Sequence, residues 1–194
     1  MKIKSFLILA TALVMVACGG NTSNKSNNEE AEAVAATATA MDIDALLSSA
    51  EELAGKEVEI EGICTHICSH GGRKIFLMGS DDTKTIRIEA GELGAFDQKC
   101  VNSIVKVKGI LNEERIDEAY LKQWEALNAA NAAEEHGDGE GGCSTEKAAR
   151  GETGNTVEER IAGFRARIAE RKASEGKEYL SFYFVLATAY EVVE

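Results

Sequence analysis

Several familiar catalytic and redox motifs are missing from this chain of 194 residues. It contains no phosphate-binding loop, no HExxH helix, no paired-carboxylate motif and no arrangement of a nucleophile with a base that rises above chance. It also lacks a C-x-x-C redox pair and the C-x-x-C-H motif that attaches haem. These absences argue against an enzyme and against thioredoxin-like chemistry.

Positive charge is scarce as well. The chain carries 21 Lys and Arg against 33 Asp and Glu, which gives a formal net charge of −12 at pH 7. An acidic surface repels phosphate backbones, so nucleic acid is not expected as a partner. The apolar run Phe6–Ala17 is only about a dozen residues long, which is too short for a membrane-spanning helix.

That apolar run has the position and length of a secretory signal. Lys2 and Lys4 precede it, and Met15-Val16-Ala17 leads from it into Cys18. This ending resembles the lipobox of bacterial envelope lipoproteins, in which a small residue precedes the cysteine that is lipidated. The resemblance implies a lipoprotein signal peptide over residues 1–17, lipidation of Cys18, and anchorage to a bacterial membrane. The protein would then lie in the cell envelope, on the periplasmic or cell-surface side. An ordinary signal peptide with an unmodified Cys18 is the alternative.

The mature chain is predicted to begin with a tether. Residues 18–40 are mostly Gly, Asn, Ser, Glu and Ala, with almost no large apolar side chain. Such a stretch buries too little apolar surface to offset the entropy lost on ordering, so it is expected to be disordered.

Residues 41–194 are predicted to form a single domain that is mainly β with helical additions. A short helix starts at the cap Asp42 and stops at Gly55. Alternating or apolar patterns then predict five strands, the first continuing past Gly62. The strand segments are 57–62, 73–79, 84–90, 103–111 and 179–193.

A helical insertion, from about residue 112 to residue 178, is predicted between the fourth and fifth strands. Asp117 caps its first helix, and a capping box, Thr156 to Glu159, starts its second helix, which ends near Gly176. Residues 136–155 contain six glycines and are predicted to form a long loop.

Five strands in this order, with Gly62 and Gly109 where strands must bend, resemble the small OB-fold domains of bacterial envelope lipoproteins. The resemblance rests on the segments GKEVEIEG, IC-SHGGRK-IF and SIVKVKGIL. It covers roughly residues 55–111 and 179–193 and implies a five-stranded OB-fold-like barrel with a helical insertion between strands 4 and 5. It supports a fold and not an activity.

The segment GICTHICSHGGRK, residues 62–74, concentrates cysteine and histidine. Gly71-Gly72 is typical of a two-residue hairpin turn, which would place Cys68 opposite Ile75. Strand side chains alternate, so the four Cys and His residues would share one face. Thiolate and imidazole suit zinc or copper, and the glycine-rich segment HGDGEGGC adds ligands that could fold back over the hairpin. The predicted metal ligands are Cys64, His66, Cys68, His70, His136 and Cys143.

Other arrangements of the thiols remain open. If the first strand runs straight through Gly62, Cys64 and Cys68 point into the barrel with Val58 and Ile60. A bulge at Gly62 would reverse this parity and turn them outward, and the bulky Ile and Thr residues between them favour that arrangement. A disulfide could join Cys64 or Cys68 to Cys100 or Cys143. Cys64 and Cys68 cannot bridge each other, because about 13 Å separates their Cα atoms in an extended strand.

Three functional hypotheses follow from the sequence. The first is a lipid-anchored envelope module that binds zinc or copper through the Cys/His hairpin and needs no other cofactor. The second is an interaction module with structural thiols or a disulfide, whose partner is an envelope protein or a glycan. The third is a thiol-redox or haem-handling accessory. None of the three is an enzyme.

Overall fold

The computed structural model describes residues 40–69, 71–133 and 143–193. The chain divides into two units after residue 36, and every described residue belongs to the second unit, Thr37–Glu194. The predicted signal peptide, the predicted lipidation site Cys18 and nearly all of the predicted tether lie outside the described residues. Among the helices of the described ranges, none has both the length and the apolar character needed to cross a membrane.

The second unit is built on a closed β-barrel. A two-residue strand, β1 (Met41–Asp42), adds in parallel to the edge of the first barrel strand. The barrel strands are β2 (Glu57–Ile67), β3 (Lys74–Met78), β4 (Thr85–Glu89), β5 (Ile104–Asp117) and β6 (Tyr179–Val193). They follow the order β2-β3-β4-β6-β5, and pairing of β5 with β2 closes the barrel. Only the β4–β6 pairing among these described barrel strands is parallel. The prediction of a mainly β, OB-fold-like barrel is confirmed.

Helices stand before the barrel and between its last two strands. They are α1 (Ile43–Ser48), α2 (Ala50–Leu53), α3 (Glu118–Ala133), α4 (Ser144–Ala149) and α5 (Val157–Glu175), with short 3-10 turns at Gly91–Leu93 and Gln98–Cys100. The predicted caps form: Thr156 and Glu159 make a capping box, and Gly176 ends α5 with a φ of 72°. The prediction of an uninterrupted loop over residues 136–155 is wrong, because α4 lies within it. Its sequence STEKAA consists mostly of good helix formers.

Two hydrophobic cores stabilise this arrangement. The larger fills the barrel, with Ile60, Ile86 and Val107 among its fully buried members. The ladder between β5 and β6 runs on past the barrel to the pair Asp117 and Tyr179. The second core packs α3 and α5 against that extension, with Ile116, Leu121, Ile161, Phe164 and Leu180 as its buried members.

The hairpin register differs from the predicted one. Cys64 pairs with Leu77, His66 with Phe76 and Ile67 with Ile75, so a bulge lies between Cys64 and His66. Gly71 and Gly72 do take the positive φ values expected of the turn, 83° and 64°.

The predicted bulge at Gly62 is wrong. The ladder between β2 and β5 runs without a break from Glu57 to Ile63, straight through Gly62. Glycine is needed there for another reason: a Cβ at Gly62 would lie 2.8 Å from Cγ1 of Ile43. Cys64 therefore keeps the parity of Ile60 and points into the barrel, where it is fully buried.

Candidate functional site

The four predicted metal ligands that the structure describes do not form one cluster. Cys64 belongs to the barrel core, and Cys68 is buried at the end of the hairpin, where its N–H donates to the carbonyl of Lys74 at 2.9 Å. His66 lies on the opposite side of β2 from Cys64, beside Phe76. His70 and His136 lie outside the described residues. The prediction that Cys64 and His66 share a face is wrong, because the bulge at Thr65 reverses the alternation.

The structure does bring together one cysteine and one histidine from the two predicted segments. Sγ of Cys143 lies 3.1 Å from Nε2 of His66, in a partly buried contact. The His66 ring in turn lies 5.9 Å from the ring centroid of Phe76. Within the described ranges, no group of three or more metal-binding side chains forms around this pair. The metal site thus stays a prediction.

Cys143 also begins the segment that covers the outer face of β3 and β4. It is the N-cap of α4, and Glu146 and Arg150 follow three and seven positions later, on the same side of the helix. Beneath them Phe76, on the outer side of β3, is fully buried although it belongs to neither hydrophobic core. We call this surface, formed by β3, β4 and α4, the outer face.

Glu146 makes the central contacts of the outer face. Its carboxylate accepts hydrogen bonds from Nζ of Lys74 at 3.2 Å and from Nη1 of Arg87 at 2.5 Å. Arg87 also lies 3.2 Å from Oε2 of Glu114, which accepts from Arg150 at 2.6 Å. These ion pairs share partners and so form a network. They are also shielded from solvent, because only 11% of the Arg87 side chain and 19% of the Glu146 side chain are exposed.

The network sets the protonation of Glu146. Burial by itself raises the pKa of this carboxyl group, but the charges of Arg87, Lys74 and Arg150 outweigh burial and hold the pKa below its ordinary value. Glu146 is therefore ionised at neutral pH. One polar group of the network is unsatisfied within the described part of the chain: the buried Nε of Arg87 makes no hydrogen bond, although Oε1 of Glu89 is 3.2 Å away.

Two clefts flank α4 in the part of the chain that the structure describes. The larger has a volume of about 590 Å³, and the smaller about 260 Å³. Residues lining the larger cleft include Thr65, Thr83, Thr85, Arg150, Arg167 and Phe182. Arg150, Phe182 and two of the threonines also line the smaller cleft, so the two clefts adjoin each other.

Arginine side chains stack on aromatic rings along these clefts. The guanidinium groups of Arg150 and Arg167 lie 5.6 and 5.7 Å from the ring centroid of Phe182, and that of Arg87 lies 4.7 Å from the ring of Phe184. Arg167 donates from Nη1 to the carbonyl oxygen of Arg150 at 2.7 Å. This arrangement presents guanidinium groups, hydroxyls and an aromatic wall to a ligand.

Sequence reasoning missed these arginines and Glu146. The alternation of TIRIE could have placed Arg87 outside, because Ile86 and Ile88 on either side of it fill the barrel. No local signal pairs Glu146 with Arg87, which is 59 positions away in the chain.

No protein-family model matches this chain, and no curated protein matches it. The fold defines the class of this protein, an OB-fold-like barrel with a helical insertion.

Proposed function

We propose that the protein is a lipid-anchored binding module of the bacterial cell envelope, with its ligand site in the clefts of the outer face. The location is supported by the signal-like residues 1–17 and the lipobox-like ending at Cys18. The site is supported by the fold, because OB-folds bind oligonucleotides and oligosaccharides on the face of their second and third strands. In this chain those strands are β3 and β4.

We infer that the ligand is an oligosaccharide with carboxylate groups. The net charge of −12 disfavours densely charged nucleic acid, and oligosaccharides are the other ligand class of this face. The same net charge opposes an acidic sugar at long range, so its carboxylates would be held by the local guanidinium groups of Arg150 and Arg167. Arginine binds carboxylates through two parallel hydrogen bonds, and threonine hydroxyls suit sugar hydroxyls. The observation that carries the proposal is the placement of Arg150 and Arg167 over Phe182 in the wall of the 590 Å³ cleft.

The test compares an acidic with a neutral oligosaccharide. The exported full-length protein, purified in detergent, is titrated calorimetrically with a hexamer of galacturonic acid and with maltohexaose. We expect the acidic hexamer to bind more tightly. Arg167→Met should weaken its binding by at least about tenfold, because a hydrogen bond to a charged group contributes about 1.5–3 kcal/mol.

Arg165→Met provides the matched control. Arg165 stands on the same helix but pairs with Glu118 and Glu125, away from the clefts. Its substitution should leave binding unchanged, and thermal unfolding midpoints check that both variants fold. If the two hexamers bind equally, or if both substitutions weaken binding to the same extent, the outer face is not an acidic-sugar site.

A metal ion held by His66 and Cys143 is the second candidate function. The 3.1 Å contact between their side chains favours it, since imidazole and thiolate are ligands for zinc and copper. Elemental analysis of protein purified without an affinity tag tests it. Stoichiometric metal that is lost in His66→Ala and kept in Cys64→Ala supports the site, whereas metal-free wild-type protein refutes it.

A further inference from the structure

Two buried cysteines from distant parts of the chain belong to the same core inside the barrel. Cys64 lies in β2, and Cys100 ends the 3-10 turn before β5. Both side chains are fully buried in the same hydrophobic core, and both are free thiols.

Backbone hydrogen bonds hold the two residues at the same corner of the barrel. The N–H of Cys64 donates to the carbonyl of Ser103 at 2.9 Å, and the carbonyl of Cys64 accepts from the N–H of Asn102 at 2.8 Å. Ser103 closes a tight turn by donating to the carbonyl of Cys100 at 3.0 Å. Asn102, with a φ of 62°, takes the left-handed conformation that this turn needs.

The pKa of Cys64 also indicates that the Cys64 and Cys100 thiols lie near each other. Burial is the main reason that the pKa of Cys64 rises to about 11, and the neighbouring Cys100 thiol raises it further. Cys143, by contrast, contacts His66, which projects from the other side of β2.

We propose that Cys64 and Cys100 form a disulfide when the protein folds in the cell envelope. The inference rests on the proposed envelope location for its oxidant, and it is independent of the proposed sugar ligand. The oxidant is an external disulfide, which is reduced to two thiols as the cysteines are oxidised. The cell envelope is an oxidising compartment in which such exchange partners occur. One cysteine thiolate attacks that disulfide, forms a mixed disulfide and releases one thiol. The second cysteine thiolate then attacks the protein-bound sulfur and releases the other thiol. The two protons lost by the cysteines end on the two released thiols.

The bond would close a loop of about 37 residues that contains β3, β4 and the hairpin. Closing a loop of this length restricts the unfolded chain, so the oxidised protein should unfold about 10 °C above the reduced protein.

Peptide mapping tests the pairing. The full-length protein is exported in cells, and its thiols are blocked with N-ethylmaleimide at lysis; a second sample is first refolded with oxidised glutathione. Trypsin leaves Cys64 and Cys68 in peptide 57–73, Cys100 in peptide 100–106 and Cys143 in peptide 123–147. We expect peptide 57–73 linked to peptide 100–106, with fragmentation placing the bond at Cys64.

Two matched variants sharpen the result. Cys68→Ala should keep the link, and Cys64→Ala should lose it. If either variant fails to fold, fragmentation of the linked wild-type peptides still identifies which cysteine forms the bond. Blocked, unlinked peptides in both samples overturn the proposal, as does a link from peptide 100–106 to Cys68 or Cys143. A link in the glutathione sample alone would show that the two residues can pair but would overturn the proposal that the disulfide forms in the envelope. Failure of the envelope location is seen separately, as absence of the protein from the membrane fraction.

Discussion

Glu146 is predicted to hold α4 on the outer face, and Glu146→Gln tests this directly. A helix of six residues is not stable alone in water, so protection of its amides reports docking against the barrel. Docking depends on the carboxylate of Glu146, which contacts Lys74, Arg87 and Arg150. Glutamine has nearly the same shape but no charge, so the substitution removes the ionic part of these contacts.

The magnitude follows from burial. A hydrogen bond to a charged group contributes about 1.5–3 kcal/mol, but Lys74 is one-third exposed and its contact with Glu146 is screened by solvent. A loss of about 2 kcal/mol in the free energy of docking is therefore expected. This corresponds to a roughly 30-fold rise in the undocked population.

Hydrogen–deuterium exchange measures that rise. In Glu146→Gln, the hydrogen-bonded amides of residues 147–150 should exchange about 30-fold faster, while those of β3 and β4 keep their protection. Glu118→Gln is the control, because Glu118 pairs with Arg165 and makes none of the contacts that hold Glu146. Unchanged exchange of residues 147–150 in Glu146→Gln would show that the ion network does not hold the helix.

Two further predictions concern acid and packing. The pKa of Glu146 is lowered in the folded protein, so its ion pairs contribute to stability above the ordinary carboxyl pKa. That contribution is lost as the pH falls through the pKa of the folded state. After correction for intrinsic rates, amide hydrogen exchange in α4 should therefore become faster below about pH 4. Gly109→Ala should destabilise the barrel by about 3 kcal/mol in urea unfolding, because its Cβ would lie 2.3 Å from the carbonyl oxygen of Leu186. Gly163→Ala in α5, where a Cβ meets nothing within 4 Å, should instead stabilise by about 0.5–1 kcal/mol, and equal effects of the two substitutions would contradict the packing argument.

The parts of the fold that sequence could predict are those with local signals. The side chain of Asp42 caps α1 by accepting from the N–H of Ala45, and Thr156 caps α5 in the same way. Alternating apolar residues predicted where the strands lie, including the continuation of β2 past Gly62, although β5 runs on to Asp117, beyond its predicted segment 103–111. The bulge at Thr65 has no such signal, because threonine is an ordinary strand residue. This one extra residue separates His66 from Cys64 and removes the predicted four-residue cluster.

The outer face could not be predicted because it depends on the register of long-range pairings. Arg87 pairs across the parallel ladder with Phe184, and Glu114 pairs across the antiparallel ladder with Phe182. These two pairings bring residues from β4, β5 and β6 to one patch, over which α4 then places Glu146 and Arg150. A slip of one residue in either ladder would turn the side chains of the shifted strand to the other face of the sheet, and the ion pairs of the outer face would be lost. The strict register of β6 therefore does more than close the barrel, because it also aligns the arginines and aromatic rings that we propose as the binding site.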